Sequence, residues 1–190
     1  MKFQFCVLII VFLFCNCRDV QNEVKVLYSK PIIIPTEKID YYTNKAGNRI
    51  SNSRVPLMKF VVYIDSLECA SCSMKKINEW DFIVDSIVQI SNRINVYFIL
   101  TPRKVNLYSV RKVLISEGVR YPILIDTLGE FERLNPHLPK NQALHTFLLD
   151  ENNRVILVGN PLRNKKIKDM FYKIVEEKLG KPGEVAVKEN

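Results

Sequence analysis

Met58-Lys59-Phe60-Val61-Val62-Tyr63-Ile64 is an apolar run that reads as a buried strand, and Cys69-Ala70-Ser71-Cys72 follows it closely. Beyond the cysteines, Ile77, Trp80, Val84, Ile87 and Val88 recur at helical spacing. The pair therefore sits where a strand gives way to a helix. Free backbone N–H groups at a helix N-terminus stabilise a thiolate, the species that exchanges disulfides. The spacing C-x-x-C is common, and its βα context is what makes it a redox motif.

Strands and helices alternate from there to near the end of the chain. Ile94 to Leu100 reads as a strand stopped by Pro102, and Leu107, Val110, Val113 and Leu114 mark a helix that Gly118 ends. Tyr121-Pro122-Ile123-Leu124-Ile125-Asp126 is the next strand, with a short helix expected around Leu128 to Asn135. Leu144 to Leu149 and Val155 to Val158 flank Asp150-Glu151-Asn152-Asn153, which is the pattern of a β-hairpin. Ile167, Met170, Phe171, Ile174, Val175 and Leu179 then give an amphipathic helix that Gly180 and Pro182 stop, before a flexible tail at 180–190. The order βαβαβαββα implies parallel pairing with an antiparallel edge from the hairpin.

The N-terminal part sets the compartment. Lys2 and the apolar run Phe3 to Phe14 are too short for a bilayer span, which takes roughly 20 residues, so residues 1–16 read as a cleaved signal peptide. The run ends in Phe14-Cys15-Asn16-Cys17-Arg18-Asp19, which is similar to a bacterial lipoprotein box. Cys17 is the expected lipid-bearing residue, with Cys15 the alternative. Residues 17–57 then form a polar tether over about 18–25 and a β-extension. Within that extension Lys30-Pro31-Ile32-Ile33-Ile34-Pro35 is expected as an edge strand, because prolines bracket it. The location expected is the bacterial cell envelope, exported and lipid-anchored, where a disulfide can persist.

The net charge of +8 comes from 28 basic and 20 acidic residues. Apart from Arg163-Asn164-Lys165-Lys166 the basic residues are scattered, and no nucleic-acid motif is present, so the charge reads as solvation or attraction to an anionic membrane. Phosphate-cradling loops, a serine-nucleophile elbow and H-E-x-x-H are absent from the sequence, so nucleotide and hydrolase chemistry have no support in it.

With C-x-x-C at its first βα junction and a hairpin-plus-helix ending, the chain resembles the thioredoxin superfamily. Within it the likeness is to membrane-tethered TlpA-like and peroxiredoxin-like lipoproteins. It covers residues 58–179 and is carried by Cys69 and Cys72, by the extra helix and strand ending at Asp126, and by Thr146-Phe147-Leu148-Leu149-Asp150-Glu151-Asn152-Asn153-Arg154-Val155. The last stretch is similar to the family's TTFLIDxxGxV hairpin. The resemblance implies an α/β thioredoxin-like fold, a central mixed sheet flanked by helices. It also implies attack by Cys69 on a substrate disulfide and resolution by Cys72. The partners implied are protein thiols and disulfides and a membrane reductant for recycling, with no external cofactor.

Two positions depart from that family pattern. Glu68 stands where reductases of this type carry Trp, and a carboxylate there should raise the Cys69 pKa. The family's cis-proline before the hairpin aligns with Leu144, or with His145 after a one-residue shift. A cis bond at a non-proline residue costs about 2.5–4 kcal/mol, so a trans loop is expected.

Other readings of the same residues stay open. Cys69 and Cys72 form a structural disulfide in one, and with His145 they hold a soft metal ion such as Cu(I) or Zn(II) in another. A non-catalytic lipoprotein that uses the fold for partner binding is a third. Glu68 is either a proton shuttle for Cys72 or an exposed loop acid. Ser66-Leu67-Glu68-Cys69 lacks the Thr-x-x-Cys of peroxiredoxins, which argues against peroxide reduction.

Overall fold

A computed structural model of the protein describes residues 19–35, 39–42, 56–65, 77–91, 93–102 and 105–180. The signal peptide, Cys15 and Cys17, the segment with Glu68, Cys69 and Cys72, and the tail from 181 lie outside the described residues.

β2 (Met58–Asp65) is the centre of a six-stranded sheet. β3 (Ile94–Thr101) pairs parallel with it along its whole length, from Met58 opposite Ile94 to Asp65 opposite Thr101. β4 (Ile123–Ile125) extends the parallel set, and β1 (Asp40–Tyr42) closes that edge antiparallel to β4. On the other side of β2 lies the hairpin of β5 (Thr146–Asp150) and β6 (Val155–Val158), so the order is β1-β4-β3-β2-β5-β6. Both faces of β2 are covered, which is why its sequence is a continuous apolar run rather than an alternation.

Met58, Phe60 and Val62 point to one face and Val61 and Tyr63 to the other. The first face is covered by α2 (Asp81–Ile90), which a 3-10 turn at Ile77–Trp80 introduces, by α3 (Leu107–Ser116) and by α5 (Lys165–Leu179). Trp80 packs there on Phe60 and Phe98, with ring centroids 5.8 and 6.2 Å apart, and Phe171 of α5 closes on Phe60 at 5.2 Å. Asparagines start two of these helices. Asn106 Oδ1 accepts the Ser109 N–H at 2.9 Å, and Asn164 Oδ1 accepts those of Lys166 and Ile167 at 2.9 and 3.2 Å.

The second face has only the short α4 (Glu130–Leu134) from the alternating part of the chain. Five residues cannot cover it, and the N-terminal segment completes the layer. Residues 19–29 form α1, and Leu27 of α1 and Ile32 are both fully buried against Val61, Phe131, Phe147 and Leu149. The tether expected at 18–25 is thus helical from residue 19, because Leu27 gains a buried site only if α1 docks. The edge strand expected at 30–35 is also corrected. Residues 31–35 belong to no strand and run beneath the sheet, where the Ile32 N–H donates to Asn153 O at 2.8 Å. The β-extension is instead Asp40–Tyr42, with Tyr42 buried in the first-face core.

The hairpin turn needs one residue in the left-handed backbone region. Asn153 takes φ of 61°, in the left-handed region that asparagine tolerates better than most residues. Asp150 Oδ1 accepts the Asn152 and Arg154 N–H groups at 2.9 and 2.8 Å and holds the turn closed.

Candidate functional site

In open α/β sheets, ligand sites form beyond the carboxyl ends of the strands, where neighbouring strands lead the chain apart. Here that point is the end of β2. β3 lies on one side of this end of β2, and β5 begins beside it on the other. His145, immediately before β5, accepts the Tyr63 N–H on its carbonyl at 2.9 Å.

The approach to His145 is a 3-10 turn at Gln142–Leu144, built locally. Asn141 Oδ1 accepts the Ala143 N–H at 3.0 Å, and the His145 N–H closes on Gln142 O at 3.1 Å. The Gln142 side chain then donates to Asp65 O at 3.3 Å, tying the turn to the end of β2.

Between these elements is a cleft of about 190 Å³ whose walls include Asp65, Ile77, Trp80, Gln142, His145 and Arg163. Asp65 and Ile77 are the described residues on either side of the segment bearing Glu68, Cys69 and Cys72. The two described residues that flank that segment therefore both stand in the cleft wall. A second cavity, about 350 Å³, shares Asp65 and His145 and continues to Glu132, Pro139 and Lys140. Arg163 pairs with Glu79 at 2.6 Å at the rim of the first, an exposed ion pair of small energetic weight.

His145 is 5% exposed, and its Nε2–H donates to Pro139 O at 2.8 Å. That bond fixes the tautomer and leaves Nδ1 as an unprotonated acceptor, buried and without a hydrogen-bond partner among the described residues. Burial holds the His145 pKa below the usual histidine value, outweighing the Pro139 carbonyl and the carboxylates of Asp65, Glu132 and Glu23. Its ring lies against Tyr63, centroids 4.9 Å apart. The Tyr63 hydroxyl donates to Glu132 Oε1 at 3.0 Å, and burial pushes its pKa well above the ordinary phenol range. The described wall thus offers a neutral imidazole and a protonated phenol at neutral pH.

Of the residues singled out in the sequence, Leu144 and His145 are placed by the structure. Leu144 ends the 3-10 turn half-buried, and no cis peptide bond occurs among the described residues. Cys69, Cys72 and Glu68 lie outside the described residues, as do Cys15 and Cys17. Among the described residues no group of three or more His, Cys, Asp or Glu is arranged to hold a metal ion.

Sequence reasoning missed Asp65, Gln142, the Tyr63–Glu132 pair and Asn135. Asp65 carried a signal, as the first acid after an apolar strand and just before the cysteines. Asn135 carried none. It is 1% exposed, and its side chain accepts the Ile33 N–H at 2.8 Å while donating to Ile33 O at 2.8 Å and Phe131 O at 2.7 Å. It reads the backbone of the N-terminal segment from both sides.

The strands β6-β5-β2-β3, with β5 antiparallel to the other three and helices on both faces, define the thioredoxin-like fold, with α3 and β4 inserted and β1 at the edge. No protein-family model matches the chain, and no curated protein matches it. Solved structures similar to it include a thioredoxin-like protein in its oxidised form, at 15% identity over 80% of this chain and 98% of that one, TM-score 0.49. The thioredoxin domain of a thiol-disulfide oxidoreductase from Bacteroides vulgatus is similar at 13% identity, over 75% and 99% of the two chains, TM-score 0.44. StoA from Bacillus subtilis is similar at 18% identity, over 53% and 71%, TM-score 0.42. The fold itself rests on the strand order and register above.

Proposed function

We propose that this protein is a membrane-tethered thiol–disulfide oxidoreductase, held in the cell envelope by lipid on Cys17 and acting on exported proteins through Cys69 and Cys72. The observation that supports it most is the cleft at the end of β2, because the two described residues that flank the cysteine segment both stand in its wall. Cys69 follows Asp65 by four residues and Cys72 precedes Ile77 by five.

In the proposed reaction the Cys69 thiolate attacks one sulfur of a substrate disulfide and releases the other as a thiolate. The Cys72 thiolate then attacks Cys69 in the mixed disulfide, freeing the second substrate thiol and leaving Cys69 and Cys72 bonded. Two electrons pass from the pair to the substrate. A neutral His145 serves this chemistry as an acceptor for a thiol proton.

The test is the reduction potential of the Cys69–Cys72 couple in metal-free protein against glutathione buffers. A reversible couple above about −300 mV is expected. A bridge that stays oxidised throughout, or thiols that never pair, would overturn the proposal. A metal chaperone using Cys69, Cys72 and His145 is the second reading, favoured by an unprotonated Nδ1 that has no hydrogen-bond partner among the described residues. It requires stoichiometric Cu(I) or Zn(II) that disappears in His145→Ala.

A further inference from the structure

The chain is basic, yet one part of its surface is acidic. The cavity of about 350 Å³ beside His145 is lined by Asp65 and Glu132. A further cavity of about 490 Å³, on the α1 side, is lined by Asp19 and Glu23. The two share a wall, the strip that holds Pro136, Leu138, Pro139 and Lys140. Lys140 is the one lysine or arginine in either wall among the described residues. Four carboxylates thus stand against one ammonium, in a chain with 28 basic residues and 20 acidic ones.

The two histidines of the chain stand in the same walls. His145 is 5% exposed. With its Nε2–H given to Pro139 O, its Nδ1 is an acceptor with no partner among the described residues. The His137 ring is hydrogen-bonded to the Lys30 backbone, and its Nε2 is likewise buried and without a partner among the described residues. Burial and the Lys30 charge hold the His137 pKa below the usual histidine value. A buried acceptor without a donor is unfavourable, and a ligand that brings N–H groups removes the deficit.

Carboxylates and unprotonated imidazole nitrogens are all acceptors. Their common complement is a cation that carries donors only, which among side chains means guanidinium or ammonium. Guanidinium suits them better, because its rigid fork of five donors can engage a carboxylate and a second acceptor together. The walls also hold Val26, Leu138 and two prolines. A small polycation leaves that apolar surface uncovered, whereas the stem of an arginine and its neighbours in a polypeptide cover it.

We propose that the two cavities form a docking site for a basic segment of a partner polypeptide. The segment crosses residues 136–140, seating one arginine at Asp65 and Glu132 and a second at Asp19 and Glu23. Asp65 and His145 also stand in the cleft of about 190 Å³, so the docked segment ends beside that cleft. The site consists of described residues and does not rest on the redox reading. Under that reading it selects substrates with basic residues beside the reacting disulfide.

The test titrates the full chain, in non-ionic detergent, into a cysteine-free peptide of alanine, valine and two arginines. The peptide is capped at both ends and carries a neutral fluorophore, and its twin has citrulline, the uncharged analogue of arginine. Anisotropy gives each Kd. The arginine peptide should bind at least about tenfold more tightly than the citrulline one. Glu23→Gln and Glu132→Gln keep an acceptor oxygen for the Asn141 N–H and the Tyr63 hydroxyl, and each should weaken the arginine peptide at least about fivefold. Glu177→Gln removes the same charge from exposed α5 and should leave binding unchanged. Equal binding of the two peptides would overturn the site. So would a loss in Glu23→Gln and Glu132→Gln no larger than in Glu177→Gln. Spermidine binding as tightly as the arginine peptide would overturn a polypeptide as the occupant. The peptide has no thiol, so failure of this site and failure of the Cys69–Cys72 couple are read separately.

Discussion

Asn135→Ala removes a side chain that joins the two layers of the second face across 102 residues of sequence. Three hydrogen bonds are lost, two to Ile33 and one to Phe131 O. Phe131 O keeps the Asn135 N–H at 3.1 Å, so the uncompensated loss falls on the N–H and C=O of Ile33. Each lost bond in a partly buried setting is worth about 1 kcal/mol net, and the stranded backbone groups add to it. The variant should therefore lose about 2–3 kcal/mol. The effect should also be local, because the amide that loses its acceptor is Ile33 itself. A loss of 2 kcal/mol at that point corresponds to roughly thirtyfold faster hydrogen exchange. Urea denaturation gives the global term and residue-resolved exchange the local one. A cost under about 1 kcal/mol, with Ile33 protection unchanged, would refute the claim that Asn135 fastens the N-terminal segment.

Leu27→Ala tests the same layer through packing. Leu27 is fully buried, so its truncation should cost about 2–5 kcal/mol in urea denaturation. A true tether would cost nothing. Acid should destabilise the fold through His145, whose folded pKa is depressed by burial. Above about pH 6.5 the imidazole is neutral in both folded and unfolded chains and contributes nothing to the pH dependence. Below it the unfolded chain binds the proton first, so stability falls as pH falls, by at most about 1.4 kcal/mol per unit from this group. His145→Gln should flatten that part of a pH 7 to 5 stability profile, and an unchanged slope would assign the acid sensitivity elsewhere.

The strand and helix order was legible because its signals are local. The apolar run of β2, the 3.6-residue periodicity of α5 and the four polar residues between β5 and β6 each report on neighbours along the chain. The position of His145 beside the end of β2 was legible through the resemblance, since the order of elements sets which strand β5 joins. What His145 does there was not. Its tautomer is fixed by Pro139 O, and its suppressed basicity comes from burial under elements that no window around residue 145 contains.

The N-terminal segment is where sequence and structure part. Asp19, Gln21, Asn22, Glu23 and Lys25 make residues 18–25 look like solvated chain, and two prolines make 30–35 look like an edge strand. Neither pattern shows that α4 is too short to cover its face of the sheet. The sequence by itself determined the alternating elements, the hairpin and the C-x-x-C motif, because propensity and periodicity act within a few residues. Only the tertiary structure decided that α1 and residues 31–35 fill the second layer. The groups that hold them, Phe131, Asn135, Phe147 and Asn153, come together only when residues about a hundred positions apart bury the same apolar surface.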